Sequence, residues 1–528
     1  MFQKYVQVNK RDLRKAIVEG MRPMQTFFDT RHGDIPFFGN LMTEPGFGNS
    51  HHSSFSIAHM PGRWLNALLS AEAAIGEKAN ENAIARLSKW ACRSMEATDM
   101  GFPACVDVET LEVLQETDLH NLRECMHAFY ALVKYREDKH AYRLALRLMD
   151  TVDEYFDDER AAFHERRWEQ DKRAKCQHWG ETYRCASPFP LTVGRYIGPL
   201  VKFYLATGEP KALAQAIRLK NACFAHVLNA RGNYDVEIFG THTHSTTAMI
   251  SSLAQFGDAL GDKSVLERVH AFMNNGLKQI AIDTGWCIEG DRRTDDVGEI
   301  NNTSDIMETC LILARHGYPG YFARAERILR AHFLPAQLLD THFIPHDEDE
   351  GHVATYRLDE RAVGAFGFPC PYGHEYEEGA PISFNWDIVG GGVGGLCEAY
   401  QAAVTNRDGH VSVNLLFDME NGLITFRNPY DGQGTARVTA NEELRSVRIR
   451  VPTRCKGISC EQKALVRDGE WAYLGSLSKD ECLQLSFEME TDETFETFRG
   501  RTYIYRWLGE EVVAMPNQNK RLMFFKNA

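Results

Sequence analysis

From about residue 55 to residue 340 apolar positions recur at helical spacing, in stretches such as "LAQAIRLKNACFAHVL" and "VLERVHAFMNNGL", each cut by a short polar break. The breaks read "AAIGEKANE", "KYREDKHAY", "LATGEPKAL", "FGDALGDKSV" and "RHGYPGYFA", and they return roughly every sixty residues. Each unit is therefore a hairpin of two amphipathic helices, and a sixth pair is expected around "GGLCEAYQAAV". One such hairpin leaves its apolar face open, so neighbours must stack. Six stacked units close into an (α/α)6 toroid with an inner and an outer ring of helices. An open solenoid is the alternative, and the number of units favours closure.

After about residue 408 the period changes from helical spacing to alternation, in "HVSVNLLF", "LITFRNP", "GTARVTAN", "SVRIRVP", "KALVRDG" and "CLQLSFEME". This predicts a C-terminal antiparallel β-sandwich. In "SVRIRVP" Val447, Ile449 and Val451 fall on one face, while Ser446, Arg448 and Arg450 fall on the other, which is expected to be solvated. The chain thus reads as mainly α, with a toroid over 51–407 and a sandwich over 408–528. Residues 1–50 join either the toroid or the β module.

Composition narrows the partners. With 528 residues, 44% hydrophobic and 25% charged, the chain can bury a large core. No window approaches the roughly 18 uninterrupted apolar residues of a membrane span. A formal charge of −14 argues against nucleic acid and anionic membrane, both of which need clustered Lys and Arg. The start, "MFQKYVQVNKRDLRKAIVEG", lacks the apolar stretch of a secretory signal, so cytoplasmic residence is expected. The thirteen cysteines show no CxxC spacing and are expected as reduced thiols. Oligomeric state is left open, a homodimer included.

In a closed toroid the N-termini of the inner helices converge on one axial cleft, which is where chemistry is expected. The densest candidate is "CIEGDRRTDDVGEINNTSDIMETC", with Glu289, Asp291, Asp295, Asp296, Glu299, Asp305 and Glu308 as seven carboxylates in twenty residues. Glycosyl chemistry needs one protonated and one ionised carboxyl, and crowding with burial splits their pKa values. A capping box, with Asp305 as N-cap and Glu308 three residues on, is the alternative for Glu308. "GTHTHSTTAMISSL" supplies His242 and His244, and "TDLHNLRECMHAF" supplies His120, with His127 expected in the core. "GNSHHSSFSIAHMPGRWLNALLSAE" contributes His51, His52, His59, Arg63 and Trp64, an aromatic ring with nearby donors that suits a sugar face. "PISFNWDIVGGGVGG" places Asn385, Trp386 and Asp387 before a glycine-rich loop, expected to press on the cleft floor or on a ligand.

The order of these motifs resembles glycoside hydrolase family 127, the β-L-arabinofuranosidase-like proteins, over most of the chain. The resemblance runs from the Arg63–Trp64 helix through "HNLRECMHAFYALVKYREDKHAYRLALRL", "GTHTHSTTAMISSLAQFGDALGD" and "ETCLILARHG". It implies an (α/α)6 toroid followed by β-sandwich modules. In that family a Glu-Thr-Cys triplet and a later Cys-Cys pair bind zinc, and one cysteine is the nucleophile. Glu308, Thr309 and Cys310 match the triplet, while the pair has no match, its nearest thiols being Cys370 and Cys397. A cofactor is therefore not expected. The set that would rebuild a zinc site is Glu308, Cys310, Cys370 and His374. The family's separate acid follows a glycine, as Glu299 does.

These readings combine into one expectation, a glycosidase of short oligosaccharides or glycosides, arabinofuranosides included, working with carboxylates and no metal. Glu299 is expected as general acid, with Asp296 or Asp387 as its partner and Glu308 as a further candidate. His52, Arg63, Trp64, His120, Trp179 of "QHWGETYR", His242, His244, Asn302, Asn385 and Trp386 are expected to hold the sugar. A sugar epimerase, a uronate lyase and a non-catalytic carbohydrate-binding relative are the alternatives.

Overall fold

The computed structural model describes residues 4–8, 12–43, 46–51, 56–99, 101–117, 119–163, 188–430, 432–516 and 520–527. His52 and Trp179 lie outside them. The helices that set the architecture are α1 (Leu13–Thr26), α2 (Ser56–Ile75), α3 (Glu81–Glu96), α4 (Leu122–Arg136), α5 (Lys139–Tyr155), α6 (Ile197–Thr207), α7 (Pro210–His226), α8 (Thr243–Leu260), α9 (Lys263–Asn274), α10 (Ile300–Arg315), α11 (Tyr321–Ile328) and α12 (Trp386–Ala403). The even-numbered helices form the inner ring: each packs on the next, and α12 packs on α2 to close it. The odd-numbered helices lie outside, α3 on α2, α5 on α4, α7 on α6, α9 on α8, α11 on α10, and α1 on α12.

Local chemistry explains the boundaries. Each polar break in the sequence holds a stop signal, a start signal or both. Gly208 and Gly261 end α6 and α8 in the left-handed conformation. Asn80, Asp138 and Asp262 accept backbone N–H groups at the starts of α3, α5 and α9. Inner helices α8 and α10 are buried on nearly all sides, whereas α3 and α5 bury one stripe. Among the described residues no helix is long and apolar enough to cross a membrane.

The C-terminal region begins with two five-stranded sheets. One orders Val404–Arg407, His410–Val413, Leu444–Arg450, Trp471–Leu477 and Val466–Asp468; the other orders Met419–Glu420, Ile424–Arg427, Thr435–Ala440, Cys482–Met489 and Cys455–Cys460. Val447 and Ile449 of the first and Val438 and Leu485 of the second join one buried cluster. The pairing is antiparallel except between His410–Val413 and Leu444–Arg450, which run parallel. A third sheet, Thr491–Phe498, Arg501–Leu508 and Glu511–Ala514, reaches back to the toroid, with Phe498 edge-on to Trp286 at 5.8 Å.

One strand departs from the expected solvated face. Arg450 is fully buried, donates to Asn414 O at 2.7 Å and pairs with Glu326 of α11. Glu326 also accepts from Arg330 at 2.8 Å and from Leu416 N at 2.8 Å. The C-terminal end of this central strand therefore meets the toroid, and its arginine links the two modules. Residues 1–50 contribute to both: α1 completes the outer ring, and Val6 N donates to Met523 O at 3.0 Å.

Candidate active site

The N-terminal ends of the inner helices meet at a small buried cavity of about 70 Å³. α2 brings His59 and Arg63, four residues apart and so on one helix face. The turn before α4 brings His120, and α8 starts with His242, whose ring accepts from Ser245 N at 3.2 Å as the helix cap, and His244. Glu299 immediately precedes α10, and Asn385 and Asp387 straddle the start of α12. All these side chains line the cavity, together with Phe38, Glu289 and Phe368. Glycine is required before Glu299, since a Cβ on Gly298 would lie 2.2 Å from Trp286 Nε1.

Of the three carboxyl groups that line the cavity, the two buried ones, Asp387 and Glu299, sit in opposite environments. Asp387 Oδ2 accepts from His59 Nε2 at 3.2 Å and pairs with Arg63 Nη1 at 3.0 Å. Burial alone would push this carboxyl up, but Arg63 and the His59 hydrogen bond outweigh it and hold Asp387 below the ordinary carboxylate range. Its Oδ1 has no hydrogen-bond partner among the described residues. Among the described residues Glu299 has no guanidinium within ion-pair distance; it accepts from Asn301 Nδ2 at 2.5 Å and lies 3.5 Å from His244 Nδ1. Burial and the nearby negative charge of Asp387 push it up to about 8. His244 is held well below its ordinary value by burial and by Arg63, Arg195 and Arg123, and so faces Glu299 as neutral imidazole.

A charged layer supports this floor. Glu124 of α4 pairs with Arg63 at 3.1 Å, with Arg123 at 3.8 Å and closely with Arg195. Arg195 Nη1 lies 3.1 Å and 3.0 Å from the two ring nitrogens of His120, and His120 stacks on His59 at 5.4 Å. Asp305, one level deeper on α10, accepts from Thr247 Oγ1 at 3.1 Å and from Arg123 Nη2 at 3.4 Å. Burial pushes it up to about 6. The sequence analysis missed Arg123, Glu124 and Arg195. Their signal was a charge set inside an apolar helix, in "HNLRECMHAF" and "LTVGRYIGPL".

Several expected site residues stand elsewhere. Asp296 is held by Tyr503 Oη at 2.7 Å, Tyr372 Oη at 3.2 Å and Arg501 at 2.5 Å, against the third sheet and off the cavity wall. Glu308 accepts from Ser251 Oγ at 2.6 Å and from Gln255 Nε2 at 3.0 Å, deeper along α10. Asp305 and Glu308 are interior to α10, so the capping-box reading is replaced by a helix that begins at Ile300. Trp64 is fully buried and donates to Trp386 O at 2.9 Å, while Trp386 stacks on Phe27 at 4.1 Å; neither ring lines the cavity. Asn302 donates to Thr243 Oγ1 at 3.0 Å and fixes the loop beneath Glu289. The expected glycine-rich loop is the body of α12, where a Cβ on Gly391 would lie 1.8 Å from Asn301 Oδ1 and one on Gly395 2.2 Å from Ser304 Oγ. Its glycines let α12 approach α10 closely.

A zinc–thiolate centre does not fit these residues. Cys310 is a buried thiol pushed up to about 11 by burial, and Cys370, pushed up to about 12 by burial, donates to Gly373 O at 3.0 Å. Glu308 is occupied by Ser251 and Gln255, and His374 packs edge-on to Phe524 at 4.9 Å. Among the described residues two other groups bring three donor atoms within 4.8 Å of one another: Asp29, His32 and His51, and His242, His244 and Glu299. Neither offers a thiolate.

No known family profile matches the chain, and no curated protein matches it by sequence. Solved structures do. A GH127 β-L-arabinofuranosidase from Geobacillus stearothermophilus T6 aligns with TM-score 0.61 at 12% identity, over 96% of this chain and 86% of that one. A second GH127 β-arabinofuranosidase aligns with TM-score 0.59 at 13% identity, over 97% of this chain and 85% of that one. A sugar epimerase from a ruminal bacterium aligns with TM-score 0.50 at 12% identity, over 75% of this chain and 99% of that one. The chain shares the fold of these proteins, an (α/α)6 toroid with, in the first two, nearly the whole of its length. Identity this low carries the fold alone.

Proposed function

We propose that the chain is a carbohydrate-active enzyme, a glycoside hydrolase acting on short oligosaccharides or glycosides, with Glu299 as general acid and Asp387 as the second carboxylate. One observation carries this reading: two buried carboxyl groups in one cavity are pushed in opposite directions, Glu299 up to about 8 and Asp387 below the usual range. At neutral pH Glu299 can give a proton to the departing glycosidic oxygen. Asp387 is ionised and can attack the anomeric carbon or activate water. Its Oδ2 is spent on His59 and Arg63, which leaves Oδ1 to act. His120, His242 and Asn385 are placed to hold ring hydroxyls, and Phe38 offers an apolar face to the sugar ring. The proton path uses no metal. A panel of aryl arabinofuranosides, galactosides and glucuronides tests the reading: turnover that falls on Glu299→Gln supports it, and turnover untouched by that change removes Glu299 as the acid.

A proton-transfer enzyme such as a sugar epimerase is the second reading, favoured by four imidazoles, His59, His120, His242 and His244, in the same cavity. It predicts exchange of a carbon-bound hydrogen of a free sugar for deuterium in D2O with no glycosidic bond cleaved, which NMR separates from hydrolysis.

A further inference from the structure

The cavity at Glu299 is too small to be the whole binding site. Its volume of about 70 Å³ is roughly that of two waters, against roughly 300–1,000 Å³ for typical ligand pockets. Two larger hollows adjoin it in series, each sharing wall residues with the one before. One of about 240 Å³ shares Glu289 and Phe368 with the cavity, and adds Arg293, Tyr376 and Ser383. The next, of about 650 Å³, shares Tyr376 with the second and is walled by Tyr372, Glu378, Thr502 and Tyr503. The shared walls set the three hollows in a row from the toroid axis to the third β-sheet.

We propose that these three hollows form one cleft for a neutral oligosaccharide, in which only the terminal unit meets Glu299 and the following units lie past Phe368 and Tyr376 against the β module. This rests on reading the cavity as a sugar site, and adds to it the substrate class, a chain attacked from its end. The fully buried Glu124–Arg195 pair floors the inner cavity on the toroid side, so it receives one chain end and no through-going polymer. The outer hollow offers tyrosine rings and a mixture of hydrogen-bonding groups, which suits sugar faces and hydroxyls. Its acids outnumber its cations, Asp295 and Asp296 being among them: Arg501 pairs with Asp296 at 2.5 Å, and Lys520 Nζ donates to the uncharged Tyr372 Oη and Tyr376 O at 2.5 Å each. With Glu377 and Glu378 also on the wall, a polyanionic chain is disfavoured.

The test is a ladder of neutral oligosaccharides of rising length, chosen by glycan array on the wild-type protein, with an aryl monoglycoside of the same terminal sugar as reference. Thr502→Trp and Glu378→Trp change exposed residues on the wall of the outer hollow. Remote binding energy is used at the reacting centre, so kcat/KM of the wild type should climb about tenfold along the ladder, and each variant should remove most of that gain. The readout is the ratio of kcat/KM on the longest oligosaccharide to that on the monoglycoside, which should fall in each variant. A flat ladder, or variants that depress short and long substrates alike, overturns the cleft. Calorimetric binding on the same ladder separates the two readings: length-dependent affinity that the variants abolish, without any turnover, retains the cleft and removes the hydrolase. Absence of binding to every sugar on the array overturns both.

Discussion

Arg63 Nη1 lies 3.0 Å from Asp387 Oδ2, and both groups are buried. The same guanidinium pairs with Glu124 at 3.1 Å. Removing one member of a buried ionic set leaves the others uncompensated, so Arg63→Leu should cost about 3–5 kcal/mol, read as a lowered denaturation midpoint. A midpoint equal to that of the wild type would mean that the pair is open to water.

The opposite shifts of the two carboxyls give a pH profile. Glu299 must be protonated to act, so kcat/KM should fall as pH rises through about 8. Asp387 must be ionised, and its lowered pKa puts the acid limb below the ordinary carboxylate range. A rate profile shows both limbs, and the alkaline one should vanish in Glu299→Gln.

Stability should follow the same group. Glu299 is raised from 4.5 to about 8, so the folded state keeps a proton that the unfolded chain releases. Its contribution is fully present below pH 4.5 and is lost as pH rises toward about 8. Melting curves across that window should show this decline in the wild type and a smaller one in Glu299→Gln; parallel curves would contradict the shift.

Two glycines of the inner ring should respond in opposite ways. A Cβ on Gly62 would lie 1.8 Å from Glu124 O, so Gly62→Ala forces α2 from α4 and should destabilise by about 3 kcal/mol. Gly394 of α12 has nothing within 4 Å of its Cβ position, so Gly394→Ala should stabilise by roughly 0.4–1 kcal/mol. Urea titration of both variants checks the helix packing.

Chelation tests the absence of a zinc–thiolate mechanism. Activity should survive EDTA and the substitutions Cys310→Ser and Cys370→Ser, because those thiols are protonated and away from the cavity. Loss on EDTA that zinc restores would move His242, His244 and Glu299, whose donors lie within 4.8 Å, from proton transfer to metal binding.

The hairpins were legible because their stop and start signals are local: Gly261 followed by Asp262 ends one helix and caps the next. The cavity was legible in part, since His242, His244, Glu299 and Asp387 all sit where inner helices begin. A cap at Asp305 would put the polar stretch "INNTS" ahead of the helix, yet it is the first turns of α10, because residues facing the toroid axis are polar and blur the amphipathic period. "GGGVGG" misled for a related reason, as close packing on α10 overrides the low helix propensity of glycine. The Glu124 layer joins residues 61 and 71 positions apart, and Arg450 meets Glu326 across 124. Such pairings depend on closure of the ring and have no local signal.

Proton delivery from Glu299 to the leaving oxygen is measured by comparing kcat/KM of the wild type and Glu299→Gln on glycosides of one sugar with leaving groups of different basicity. Loss of a general acid should lower the rate about 10²–10⁴-fold for an alkyl leaving group, which needs the proton, and far less for a dinitrophenyl group, which does not. An equal loss for both, or none for either, would contradict the account.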